Sequence, residues 1–133
     1  MLEMRGSVDG RGRPLLRLTL TGVPDEALAT IDTGFNGELL ISQRDAKSLG
    51  IETTGLTEDV VLGDGSEIEA KKGRATIDWF GVPKRVVVFI TADAQASTLS
   101  ADEPVALVGT RLLADDILEI NFPAQTVAIR QAK

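Results

Sequence analysis

The sequence predicts an all-β protein with two short helices. Three observations predict it: a strict alternation of Leu with polar residues in "PLLRLTLTG", an unbroken apolar run in "KRVVVFITA", and apolar runs cut short everywhere by Gly, Pro and Asp. Helical spacing never persists for more than a turn or two, whereas a period of two recurs along the chain.

The elements follow in order. The first 13 residues, "MLEMRGSVDGRGR", are Gly-rich and read as a flexible lead-in to a domain spanning 14–133. From Pro14 to Gly22, Leu16, Leu18 and Leu20 alternate with Arg17, Thr19 and Thr21, the pattern of a half-buried strand. "VPDE" is rich in turn formers, so the next run, "EALATID", is expected to pair back as a hairpin. That strand ends at Asp32-Thr33-Gly34, after which "ELLIS" forms a short strand. Ser42 is placed to cap a helix "QRDAKSL" closed by Gly50. Two strand-like runs then flank Leu62-Gly63-Asp64-Gly65-Ser66, whose Asp-Gly step is a strong hairpin signal. "KRVVVFITA", Lys84 to Ala92, is expected to be buried on both faces, and Asp93 to Pro104 to be an irregular excursion. A strand ending at Val108, a helix from Thr110 to Ala114 capped by Thr110, and strands around Ile117 to Phe122 and Thr126 to Ile129 complete the chain. The two strand-turn-helix passages are loosely alike, which suggests a pseudo-symmetric arrangement within one small barrel.

Composition narrows the function. At 133 residues the chain matches one domain, and 43% hydrophobic with 26% charged residues is the balance of a folded globular protein. The net charge is −6, with no basic cluster and only one Trp, four Phe and no Tyr. That combination argues against nucleic acid as a partner, which needs cationic grooves and stacking surfaces. No window approaches the roughly 18 apolar residues of a membrane helix, and no signal-peptide core is present, so a cytoplasmic protein without a membrane partner is expected. Neither Cys nor His occurs anywhere. Thiol nucleophiles, imidazole bases and Cys/His metal sites are therefore excluded, and no metal or cofactor is expected. Hydrolytic chemistry here must rest on carboxylates, with a Ser-Lys pair such as Ser42 and Lys47 a weak competitor.

Asp32-Thr33-Gly34 is then the segment that matters. By itself the triplet also describes an ordinary Asx turn, in which the carboxylate accepts a nearby backbone N–H. Its surroundings go further. "ATIDTGFNGELLI", the glycine-rich hairpin from Leu62 to Glu67, and "ALVGTRLL" occur in this order, and together they resemble the retropepsin-like aspartic proteases over roughly residues 14–130.

The resemblance implies a small closed barrel of the acid-protease type with one Asp-Thr-Gly loop and one flap hairpin per chain. It implies Asp32 as the catalytic carboxylate, Thr33 and Gly34 as its supports, and Gly63, Asp64 and Gly65 as the flap tip. Phe35 and Ile90 stand as candidates for the substrate pocket. One chain carries half of such a site, so the resemblance implies a homodimer acting on an extended peptide or protein. The chemistry suits the residue types: two carboxyl groups held about 3 Å apart share one proton, leaving one base to activate water and one acid to protonate the carbonyl.

Asp64, Asp78 and the Asp115-Asp116 pair read as turn or surface residues, and Trp79 as a core or interface anchor. Phe35 departs from the small residue that usually follows Asp-Thr-Gly in the retroviral members. Its ring narrows the pocket, packs under the loop, or marks a relative that is no peptidase. A catalytically silent barrel used for dimerisation or peptide binding is accordingly the alternative function, and a small-molecule-binding barrel a third.

Overall fold

The structure, a computed structural model, describes residues 2–92 and 103–132. Among these, the elements are β1 (Glu3–Val8), β2 (Pro14–Leu18), β3 (Ala27–Ile31), β4 (Leu39–Ser42), α1 (Gln43–Ser48), β5 (Thr53–Val61), β6 (Glu67–Trp79), β7 (Val82–Thr91), β8 (Ala106–Val108), β9 (Asp116–Asn121) and β10 (Thr126–Gln131). The strands form one sheet in the order β5-β6-β7-β4-β8-β3-β2-β1-β10-β9. The excursion expected from Asp93 lies, as far as residue 102, outside the described residues.

The mainly-β expectation holds, with three corrections. The sheet is not a closed barrel: β5 and β9 remain its two edges. It curls enough for Leu20 to bridge Ile77, with Thr21 N–H donating to Thr76 O at 2.9 Å and Asp78 N–H to Thr19 O at 2.9 Å. Those few bonds join the bend without completing a ladder. Secondly, one helix forms rather than two. Residues 110–115 are successive turns with i→i−3 bonds, Leu112 N to Gly109 O and Leu113 N to Thr110 O, both 3.2 Å. Thirdly, the N-terminal segment read as a flexible lead-in supplies β1, which pairs with both β10 and β2. Its Gly6 is required there, because a Cβ would collide with the backbone carbonyl of Leu15.

Local sequence explains most of the rest. β2 and β3 pair antiparallel from Leu15↔Thr30 to Leu18↔Ala27, as the alternation demands. Ser42 caps α1: its Oγ accepts Asp45 N–H at 3.2 Å and donates to Asp45 Oδ2 at 3.0 Å, while Gly50 takes the left-handed conformation that ends the helix. Asp45 is 2% exposed, so this hydroxyl serves both the helix end and a buried carboxylate. At the β6–β7 turn Phe80 and Gly81 both have positive φ, the demand of a tight hairpin. Phe80 tolerates it because its ring is buried edge-on against Trp79 and Asp78 Oδ1 accepts Gly81 N–H at 2.7 Å.

The main core gathers Leu16, Leu18, Ile31, Ile41, Ile77, Val86, Val88, Val108 and Ile129. Ile90 belongs to it, 3% exposed, and so does not line a pocket as expected. A second cluster is built from Phe35, Val60, Ala70 and Phe89. No helix among the described residues is long and apolar enough to cross a membrane.

Ser42→Ala is expected to lower stability by about 1–2 kcal/mol, the loss of a cap plus one partner of a buried carboxylate. Urea unfolding checks it; a change within a few tenths of a kcal/mol would mean the cap is dispensable.

Candidate active site

The site is built where β3 stops. β8 lies between β3 and β4, parallel to the first (Ile31↔Val108) and antiparallel to the second (Leu39↔Val108). The loop joining β3 to β4 must therefore pass over the end of β8. Asp32 N–H donates the last bond of the ladder, to Val108 O at 2.9 Å, and the chain then turns, with Phe35 N–H donating to Asp32 O at 3.1 Å.

The residues after β8 clamp this loop from beneath. Gly109 N–H donates to Glu38 O at 3.0 Å, Thr110 N–H to Phe35 O at 2.9 Å, and Arg111 N–H to Gly37 O at 3.2 Å. The Thr110 hydroxyl donates to the same Phe35 carbonyl at 3.3 Å. This corrects the helix-cap expectation for Thr110: both of its donors are spent on the loop. Gly109 sits so close that a Cβ would come within 2.6 Å of Phe35 O and Cδ2 and would strike Gly37 O. On the far side, Glu38 Oε1 accepts Val87 N–H at 2.9 Å and ties the loop to β7.

Phe35 packs under the loop. It is 0% exposed and meets Phe89 edge-to-face, with centroids 6.3 Å apart. Phe35 is thus no wall of an open pocket. Its cluster includes Val60 of β5 and Ala70 of β6, flanked by Leu62 and Ile68, so its ring joins the loop that carries Asp32 to the hairpin above it. Gly37 completes the fit, since a Cβ there would lie 2.5 Å from Phe35 Cζ and 2.9 Å from Phe89 Cε2.

Of the residues singled out in the sequence, Asp32, Thr33, Gly34 and Gly63 come together. Asp32 is half-buried, and its Oδ1 accepts Gly34 N–H at 2.9 Å. The Asx turn of the simpler reading is therefore present, and it leaves Oδ2 without a hydrogen-bond partner among the described residues. Thr33 is exposed and makes no side-chain hydrogen bond among them. The tip of the β5–β6 hairpin rests on the loop: a Cβ on Gly34 would lie 2.7 Å from Gly63 Cα and 3.2 Å from Asp32 Oδ1. Only glycine permits that approach.

Asp64 and Gly65 shape the tip rather than touch the loop. Leu62 N–H donates to Ser66 O at 2.8 Å, Gly65 N–H donates to Leu62 O at 2.9 Å, and Gly65 is left-handed. Asp64 Oδ1 accepts both the hydroxyl of Ser66, at 2.5 Å, and its N–H, at 2.9 Å. Those bonds, the hydroxyl's foremost, hold the Asp64 carboxyl below its ordinary range. The other acids also have structural posts: Asp78 caps the β6–β7 turn, and Asp116 Oδ2 accepts Trp79 Nε1–H at 3.3 Å.

Beside the loop lies an open cavity of about 480 Å³, between residues 36–38 and the outer hairpin arm. Glu58, Asp59, Lys72 and Arg111 line it, and Asp32 does not. Sequence reasoning missed this wall and missed the second core; the paired aromatics Phe35 and Phe89 and the intervening Gly37 were the available signal.

Chemically, the half-buried Asp32 offers one carboxylate oxygen without a hydrogen-bond partner among the described residues, on a loop held by backbone bonds under a glycine tip. A single carboxylate can be base or acid, but not both at once.

No family model matches the chain, and no curated protein matches it. Among solved structures, a retropepsin-like aspartic protease from Rickettsia conorii superposes with a TM-score of 0.66 at 17% identity, over 97% of this chain and 90% of that one. The likeness is one of fold, from end to end.

Two expectations follow. Phe35→Ala should cost about 3–5 kcal/mol in equilibrium unfolding and make residues 62–66 the first site of proteolytic nicking; a loss under about 1 kcal/mol would show that the ring does not bear the loop. Because Asp64 is held low, its turn should persist above the ordinary Asp range and loosen only as pH falls through the lower folded-state value. An NMR titration of the Ser66 amide reads this, and a midpoint at or above that of an unstructured Asp peptide contradicts it.

Proposed function

We propose that the protein is an aspartic endopeptidase that acts as a homodimer. Asp32 of each copy meets its counterpart across a two-fold axis, and the pair shares a proton and activates a water between the two carboxyl groups. One carboxylate takes a proton from the water as the other protonates the scissile carbonyl. Thr33 hydrogen-bonds across the axis and stiffens the paired loops. Gly34 lets backbone come close to the carboxylates, and the tip of Gly63, Asp64 and Gly65 lifts to admit an extended peptide, then closes and excludes water.

The observation that carries this reading is Asp32 itself: a carboxylate with a free oxygen, on a loop clamped by Gly109, Thr110 and Arg111, under a hairpin whose Gly63 fits against Gly34. Thr33 adds to it, exposed and with its hydroxyl uncommitted among the described residues. The end-to-end likeness in fold to a retropepsin-like aspartic protease supports the same class of chemistry. A pair of carboxylates also suits a chain that has no Cys and no His.

Asp32→Asn should abolish cleavage of a peptide library, by about 10²–10⁴-fold or more, while thermal unfolding stays close to wild type. Cleavage that survives in the variant removes Asp32 from the role. No cleavage by a dimeric wild type at any pH points instead to a silent peptide-binding module.

A further inference from the structure

A second cavity, of about 310 Å³, opens where one edge of β6 changes partner. β7 holds one edge of β6 from Lys71 to Trp79. On the other edge β5 pairs only as far as Thr53↔Gly73, and the chain after β2 then takes over, with Thr21 N–H donating to Thr76 O and Asp78 N–H to Thr19 O. The cleft lies at this change of partner. Its walls are residues 20 and 21, residues 49–51 between α1 and β5, residues 74–76 of β6, and Arg85 of β7.

The charge of the cleft is one-sided. The whole chain carries 20 acidic against 14 basic residues, yet Arg74 and Arg85 line this cavity and no carboxylate does among the described residues. Thr76 stands opposite Arg85, and Arg74 lies two positions before Thr76. Residues so placed share one face of the β6–β7 ribbon, with the two arginines as diagonal neighbours. Neither makes an ion pair or a side-chain hydrogen bond among the described residues, whereas Arg5, Arg13, Lys72 and Arg130 all have carboxylate partners. Asp78, the next acid along that face, spends its Oδ1 on Gly81 N–H at 2.7 Å and forms no ion pair with Arg85.

Two neighbouring cations without a counter-charge repel one another, and an anion between them turns that repulsion into attraction. Guanidinium groups suit an oxyanion in particular, because their planar forks donate in pairs to its oxygens. The hydroxyls of Thr21 and Thr76 also line the cleft and are uncommitted among the described residues, which supplies two further donors.

We propose that this cleft binds a doubly charged oxyanion of the phosphate class, held between Arg74 and Arg85 with Thr21 and Thr76 as additional donors. Two cations balance a dianion, whereas a carboxylate would neutralise only one of them. Free phosphate and a phosphate monoester present the same chemistry to the site. No residue of the loop that carries Asp32 lines it, so the inference is independent of the peptidase reading.

The test titrates the full chain with inorganic phosphate, with O-phosphoserine and with acetate, each against sodium chloride at matched ionic strength, and follows the backbone amides by NMR. Saturable shifts at Thr21, Gly50 and Thr76 are expected with one or both phosphates, and the tighter of the two identifies the free ion or the ester as the preferred form. Bound phosphate should also raise the thermal midpoint with concentration, as any ligand of the folded state does. Arg74→Gln and Arg85→Gln should each weaken binding about tenfold or more. The double variant should abolish it with an unchanged circular dichroism spectrum, since both side chains are exposed. Shifts that chloride reproduces would mean general screening and overturn the proposal. Failure to saturate overturns it too, as does binding that survives the double variant, which would put the ion elsewhere. Acetate binding as tightly as phosphate refutes the dianion. The readout is binding, so each result stands whether or not any peptide is cleaved.

Discussion

Everything about the site depends on a ring packed beneath a loop. Phe35 follows Asp32-Thr33-Gly34 and turns inward, where it fills the space between the loop, β7 and the overlying hairpin. Fully buried aromatic surface of this kind is worth several kcal/mol to the fold. The space it fills is bounded by glycines: Gly37 and Gly109 leave room for the ring and the carbonyls around it, and Gly34 and Gly63 let the hairpin tip settle on the loop. Loop, ring and hairpin thus form one packed unit. The second core exists chiefly to hold that unit together.

The sheet explains why this unit sits where it does. A strand inserted between β3 and β4 obliges the connection between them to cross its end, and the N–H groups of Gly109, Thr110 and Arg111 just after β8 are taken up by that crossing. Asp32, Phe35, Gly37 and Glu38 are each fixed through a backbone atom. Backbone anchoring leaves Asp32 Oδ2 and the Thr33 hydroxyl without hydrogen-bond partners among the described residues.

Much of this was legible in the residues. The β2–β3 alternation, the Ser42 cap with its Gly50 stop, and the Leu62 to Ser66 turn are local signals, each set by neighbours a few positions apart. The strand ending at Asp32 was legible for the same reason. What misled were segments whose fate is decided at a distance. Thr110 has the chemistry of a helix cap, but Phe35 O competes for both its donors and the segment stays in turns. The Gly-rich N-terminus looks mobile, but it pairs with β10, more than a hundred positions along the chain. Ile90 and Phe35 look like pocket residues by position, and strand pairing and packing bury both.

By itself, then, the sequence determined most of the strands from β2 onward and the helix that Ser42 caps, the absence of thiol and imidazole chemistry, and the single Asp-Thr-Gly that a carboxylate mechanism would use. The tertiary structure alone decided that the sheet stays open, that the hairpin tip meets Gly34, that Phe35 points inward, and that β5 and β9 are left as edges. The reason is physical. Turn type, capping and periodicity are written in contacts across a few residues, whereas edges, glycine-to-glycine approaches and the direction of a ring follow from which distant strands become neighbours.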